Sequence, residues 1–250
     1  MTYPDDYINQ VIEGDCLEVM KGIPDNSMDF CIADPPFNVD KDYQNGFNDK
    51  KLESDYFGWL KERCGEIYRT LKDSGRLYIF NTDKNIFILK PLLEALGFSY
   101  VQTLIWFGPN LVNNGTKISW DWHCMHEPIL LMRKGKRTPM LNAGEITNAF
   151  SVLVHTRPQT NFHEGRFHIA QKPLTLLKSI IARTPGQLGL DPFLGVGTFA
   201  KAMKDLERDF IGIEINPFYC AIARERLKQE VLPFEVKKKK KEEQFNLFKS

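Results

Sequence analysis

The run Met28-Asp29-Phe30-Cys31-Ile32-Ala33 is closed by Asp34-Pro35-Pro36-Phe37, and this junction restricts the fold more than any other part of the chain. Proline lacks an N–H and has a fixed φ, so two in succession hold the backbone extended and leave carbonyls free to accept. An apolar strand therefore ends here on a carboxylate, followed at once by an aromatic ring. A carboxylate and a carbonyl suit the two N–H bonds of a planar amino group, and a ring suits the face of the heterocycle that carries it. The chemistry points to a nucleobase, although an isolated Asp-Pro-Pro also serves as a plain strand-ending turn.

A second motif lies far downstream. Asp191-Pro192-Phe193-Leu194-Gly195-Val196-Gly197-Thr198 follows a short apolar stretch and precedes a helical one. A Gly-x-Gly turn lets a ligand approach the backbone, and an acidic residue some 20 positions later commonly takes ribose hydroxyls. Glu214, at the end of Phe210-Ile211-Gly212-Ile213, fits that role.

These motifs and their order resemble the beta group of N6-adenine/N4-cytosine amino-DNA methyltransferases, over roughly residues 8 to 230. The resemblance implies an α/β fold with a Rossmann-like, mixed but mostly parallel sheet, helices on both faces and a small inserted target-recognition region. It implies S-adenosylmethionine (SAM) as cofactor and duplex DNA as partner. Asp34, Pro35, Pro36 and Phe37 become the catalytic group: Asp34 and the Pro35 carbonyl hold the target amine, and Phe37 stacks on a base turned out of the duplex. Phe193, Gly195, Gly197 and Thr198 surround the methionine part of the cofactor, with Asp191 near its ammonium. Glu214, with Ile215 beside it, takes the ribose. Asp15 corresponds to the position that contacts the cofactor's adenine, with Cys16 and Leu17 lining the ring; alone, Asp15 reads equally as a helix N-cap.

The segment His168-Ile169-Ala170-Gln171-Lys172-Pro173 resembles the family's His-Pro-x-Gln-Lys-Pro element, in which Lys172 and Pro173 line the cofactor's carboxylate side. Ile169 departs from the usual proline, and Val196 stands where serine is frequent. Trp106 with Asn110, and His126-Glu127-Pro128, match weaker elements bordering the target base, though packing explains each as well. Asp at the first position of the catalytic motif is more typical of adenine enzymes, Ser of cytosine enzymes. The expectation is adenine N6 methylation, with cytosine N4 as the alternative.

Composition adds boundaries. The 250 residues, 42% hydrophobic and 26% charged, suit one substantial domain. The opening residues lack a basic and apolar signal, and no apolar run is long enough for a bilayer, so a cytoplasmic protein on bacterial or phage DNA is expected. Five scattered cysteines without a Cys-x-x-Cys pair suggest neither disulfide nor metal. A net charge of +1 leaves DNA binding to local patches. Residues 111–172 hold eight Lys/Arg against four Asp/Glu, and all five histidines.

Periodicity places strands at 8–15, 28–33, 76–80, 101–106, 128–132 and 188–191, and helices at 55–71, 86–96, 198–206 and 217–230, with a further one opening after Lys172-Pro173. The loop 38–49 reads as a lid over the site or as a solvated turn. Regular patterning fades over 133–167, the candidate target-recognition region, whose Arg133, Lys134, Lys136, Arg137, Arg157 and Arg166 are candidate DNA contacts. The methyltransferase domain then spans 1–232. A basic tail, 233–250, carries Gln244, Leu247 and Phe248, which resemble the short peptide that binds prokaryotic sliding clamps; a disordered lysine-rich tail is the alternative. The short recognition region suggests a homodimer. Two rivals stand further off. One is a dinucleotide oxidoreductase, because Gly195, Gly197 and Ala200 also satisfy a loose fingerprint. The other is a SAM-sensing DNA-binding module without turnover.

Overall fold

The computed structural model describes residues 1–39, 51–110, 124–141, 150–159 and 171–228. The first half runs β1 (Gln10–Glu13), α1 (Cys16–Met20), β2 (Met28–Ala33), α2 (Glu53–Thr70), β3 (Leu71–Phe80), α3 (Asp83–Ala95) and β4 (Phe98–Phe107). The second runs β5 (His126–Lys134), β6 (Val152–Val154), α4 (Leu174–Arg183), β7 (Leu188–Asp191), α5 (Thr198–Asp205), β8 (Asp209–Glu214) and α6 (Pro217–Lys228).

The described strands form one sheet in the order β1-β8-β7-β2-β3-β5-β4-β6. Of these, β5 alone runs against the rest. Side chains alternate across a strand, and the core divides accordingly. Cys31, Ala33, Leu77, Ile79 and Ile211 pack under α1, α2 and α3, whereas Phe30, Ile32, Tyr78, Phe80 and Phe210 pack under α4, α5 and α6. Each central strand is buried on both faces, as parallel sheets require.

From the centre, β2 leads through α2 to β3 on one side, while β7 leads through α5 to β8 on the other. Their carboxyl ends diverge, and open α/β sheets bind ligands at such a gap. Asp29 fastens the opposite end: its Oδ2 accepts the N–H groups of Gln187 (2.8 Å) and Leu188 (2.9 Å), and its Oδ1 pairs with Lys72 at 2.7 Å.

Two elements depart from the sequence reading. Residues 72–75 were expected to separate a helix from a strand starting at Arg76, but β3 begins at Leu71, opposite Met28, and those residues form a bulge with Ser74 at φ 73°. β6, pairing its three residues with Ile105, Trp106 and Phe107, is too short for periodicity to show.

Candidate active site

Parallel strands deliver their carboxyl ends to one edge, and here four of them carry acids. Asp15 follows β1, Asp34 follows β2, Asp191 ends β7 and Glu214 ends β8, and all four line one pocket with Cys16, Trp59, Arg63, Lys172, Phe193, Gly195, Thr198 and Ile215.

On the β7–β8 side, Gly195 and Gly197 both adopt left-handed φ, 56° and 80°, for different reasons. A Cβ on Gly195 would meet nothing within 4 Å, so its face is open to a ligand; a Cβ on Gly197 would strike that of Ala223 at 2.7 Å, because α5 and α6 cross there. Gly197 shapes the turn without lining the pocket. Arg226 secures it, donating to the Val196 carbonyl (2.5 Å) and to Thr198 Oγ1 (3.2 Å). Glu214 accepts the Gly195 N–H at Oε2 (2.7 Å) and the Asn216 N–H at Oε1 (2.8 Å). Each oxygen keeps a lone pair for a further donor. Ile215 stands half exposed at the rim.

Asp15 does two jobs. Its Oδ1 caps α1 through the Leu17 N–H at 2.8 Å, and Arg63 binds its carboxylate at 2.8 and 3.0 Å. Arg63 also lies 4.3 Å from the Trp59 ring centre. Sequence reading singled out neither Arg63 nor Trp59 for the site; their i,i+4 spacing on α2 was the available signal. Cys16 lines the pocket as a neutral group, since burial pushes its thiol up to about 12. Leu17 does not line it.

Asp191 accepts the Phe193 N–H at 2.9 Å. Burial pushes its carboxyl well above the usual range, and Asp34 and Glu214 add to the shift; burial raises Glu214 as well. Neither acid has a cationic partner among the described residues.

The catalytic segment is held from behind. Tyr56 donates to the Pro36 carbonyl and Asn85 to that of Phe37, each at 2.8 Å, while Asn81 donates to Tyr56 Oη at 3.0 Å. This leaves the Pro35 carbonyl without a donor among the described residues. Asp34 and Pro36 line the pocket; Phe37 and Pro35 do not.

Lys172 departs from expectation. It lines the pocket, but not as a free counter-charge: its ammonium sits 3.0 Å from Asp34 Oδ1 and 2.7 Å from Glu127 Oε2, beneath the rings of Phe37, Phe80 and Trp106. Pro173 is the N-cap position of α4 and lies outside the pocket lining.

The candidate DNA contacts do not come together. Because β5 runs antiparallel, Ile129 pairs with Phe80 at the pocket edge while Arg133 pairs with Arg76 toward the other end. Lys134 lies eight residues from His126, about 27 Å along the strand. Its ammonium is spent on the carbonyls of Tyr68 (2.8 Å) and Leu71 (2.7 Å). Arg133 donates to the Gly135 carbonyl at 3.0 Å, the Lys136 N–H reaches Asp73 at 3.3 Å, and Arg137 belongs to the same remote end. Arg157 follows β6, at the same end of the sheet as the pocket, and Asn110 brackets its backbone at 2.7 and 3.0 Å. Most of the loop 38–49, Arg166, His168 to Ala170, and the tail with Gln244, Leu247 and Phe248 lie outside the described residues.

Known proteins share this arrangement. Residues 28–225 match the family model described as DNA methylase. The chain is 31% identical over 245 residues to the DNA adenine methyltransferase YhdJ of Escherichia coli (strain K12), covering 87% of this chain and 82% of YhdJ. It is 31% identical over 276 residues to the Type II methyltransferase M.HinfI of Haemophilus influenzae, covering 93% and 74%. Among solved structures, the M1.HpyAVI–SAM complex superposes with a TM-score of 0.71 at 26% identity, over 88% of this chain and 99% of that one. The PvuII cytosine-N4-specific DNA methyltransferase superposes at 0.76 with 16% identity, over 90% of both chains, a likeness of fold. With the strand order, the diverging ends of β2 and β7 and the match across most of its length, the chain belongs to the N6/N4 DNA methylase family, whose enzymes use S-adenosylmethionine as methyl donor.

Proposed function

We propose that this enzyme methylates the exocyclic N6 of an adenine turned out of duplex DNA. The observation that carries the reading is Asp34, at the end of β2, sharing one pocket with Gly195 and Glu214 at the ends of β7 and β8. The donor set fits the cofactor. Asp191 and Glu214 are buried carboxylates with no cation paired to them among the described residues, suited to a ligand carrying positive charge and ribose hydroxyls, and Gly195 leaves room for its approach. When bound, SAM supplies an electrophilic methyl group on a sulfonium. Glu214 and Ile215 then hold its nucleoside side, and Phe193, Gly195 and Asp191 its amino-acid side.

The amine of adenine is a poor nucleophile because its lone pair is delocalised into the ring. Asp34 and the Pro35 carbonyl accept its two N–H bonds and favour a pyramidal nitrogen. Pro35 is the carbonyl of this segment left for that role, since Tyr56 and Asn85 engage the next two. Phe37 stacks on the base, offsetting part of the few kcal/mol of unstacking. The carboxylate at position 34, where cytosine enzymes often carry Ser, supports adenine, as does the 31% identity to a protein named as an adenine methyltransferase. Phosphates contact the pocket end of the sheet around Arg157.

The test is to incubate the enzyme with labelled SAM and PCR-amplified mixed-sequence DNA, then identify the labelled nucleoside. N6-methyladenine is expected, and Asp34→Ala should lower the rate by at least about 100-fold. N4-methylcytosine would overturn the choice of base, and equal labelling by the variant the role of Asp34.

We also infer a homodimer, because the edge strand β6 leaves Val152 and Val154 exposed beside exposed Phe150, the kind of edge that folded proteins cover. Light scattering should give about twice the 28.9 kDa chain mass; a fully active monomer would refute this.

A further inference from the structure

We propose that Glu127 is a positioning residue of the methylation reaction: it anchors Lys172 against Asp34 and gives the three groups the surplus negative charge that takes up the proton shed by the methylated amine. The inference rests on the function proposed above.

The three groups come from separate elements and meet at one point. Asp34 arrives from β2, Glu127 from β5 and Lys172 from the residues before α4, with the ammonium 3.0 and 2.7 Å from the two carboxylates. The Lys172 side chain is only 8% exposed, and the ring centres of Phe80, Phe37 and Trp106 stand 5.0, 5.1 and 5.7 Å from its nitrogen. Trp106 is the cross-strand partner of Glu127, so the sheet register itself places the second acid beneath the cage.

No other ionisable group pairs with the ammonium among the described residues. Toward the pocket, Asp191 and Glu214 line its far side from β7 and β8; Arg63 from α2 is taken by Asp15, and His126, next to Glu127, by Asp83 at 3.1 Å. Asp34 and Lys172 alone sum to zero charge. Glu127 brings the unit to −1, and one added proton returns it to zero, which matters where charge is shielded from water.

The step balances. The nitrogen that has gained a methyl group is a cation with one N–H in excess. That proton passes to Asp34; Asp34 passes a proton to Lys172 as Lys172 gives one to Glu127. The products are a neutral methylated amine, an ionised Asp34, an ammonium Lys172 and a neutral Glu127.

Glu127→Gln keeps the shape and removes the charge, and two measurements on the full chain decide the matter. In protein labelled with 13C at the lysine ε-carbon, without DNA or cofactor, Lys172 should lose its proton at lower pH in the variant. One of the two acids that favour the ammonium is then gone, while burial still opposes it. In single-turnover methylation of PCR-amplified DNA, wild type should be flat between pH 7 and 9. Glu127→Gln should be roughly 100-fold slower at pH 7 and recover as Lys172 deprotonates and restores a net −1, and Glu127→Asp should regain most of the rate. An unchanged Lys172 titration, or a deficit equal at every pH, would overturn the proposal. The NMR arm judges the ionic unit without DNA. Labelling by wild type separately judges the proposed reaction.

Discussion

Asp191 and Glu214 face the pocket as buried acids while both nearby cations are already engaged, Arg63 by Asp15 and Lys172 by Asp34 and Glu127. Burial holds both carboxyls above their ordinary values. A ligand carrying positive charge favours their ionised forms, so its binding must release protons, and its affinity must rise as pH climbs through the raised values. Calorimetry of SAM binding in buffers of different ionisation enthalpy should therefore detect proton release, and Asp191→Asn should diminish it. Asp34, Asp191 and Glu214 were legible in the sequence because each closes a short apolar run. Arg63 was not, and Glu127 was legible only as part of His126-Glu127-Pro128 and not as a partner of Lys172, since Asp15 and Lys172 lie 48 and 45 positions from them and only the packing of elements brings them within 3 Å.

At the scale of elements, the junction of α2 and β3 shows how far local pattern carries. The helix was expected from its apolar spacing, but its direct passage into a strand depends on Lys134, which donates to the Tyr68 and Leu71 carbonyls and lies 4.7 Å from the Tyr68 ring centre. Arg69 braces the same end by binding the Met20 and Ile23 carbonyls at 2.7 and 2.8 Å. Cations at a helix C-terminus satisfy carbonyls that lack a helical partner. Lys134→Met should cost about 2 kcal/mol in denaturant unfolding while leaving DNA affinity unchanged, whereas Arg157→Ala should weaken DNA binding with little effect on stability. A loss of DNA affinity in Lys134→Met would return β5 to the interface. The sequence signal at Lys134 was a basic cluster, and charge alone does not distinguish a phosphate contact from a helix cap.

At the scale of the whole molecule, the sheet sets the site at one end and its fastening at the other. Burial raises the Asp29 carboxyl, but the Leu188 N–H, the Lys72 ammonium and the Gln187 N–H outweigh it and leave it below the usual value; Lys178 and Lys201 likewise outweigh burial at Asp205. Acids lowered in the fold stabilise it fully above their unfolded value, 3.8, and lose that contribution as pH falls through the lower folded value. Melting temperature should hold near neutrality and drop below pH 4. Asp29→Asn should lower it at pH 7, by about 2 kcal/mol of stability, and shrink the acid-induced fall. An unaltered acid limb would remove Asp29 from the account. By itself the sequence determined the α/β class, the order of the two motifs and the acids that end the strands, because apolar periodicity and residues of restricted backbone act over a few positions. The tertiary structure alone decided that Lys172 belongs to Asp34 and Glu127, that Lys134 caps a helix and that Arg157 stands at the same end of the sheet as the pocket. The physical reason is that an ammonium or guanidinium is satisfied by whichever carboxylates or carbonyls the sheet register brings within 3 Å, and register joins residues whose separation along the chain carries no local signal.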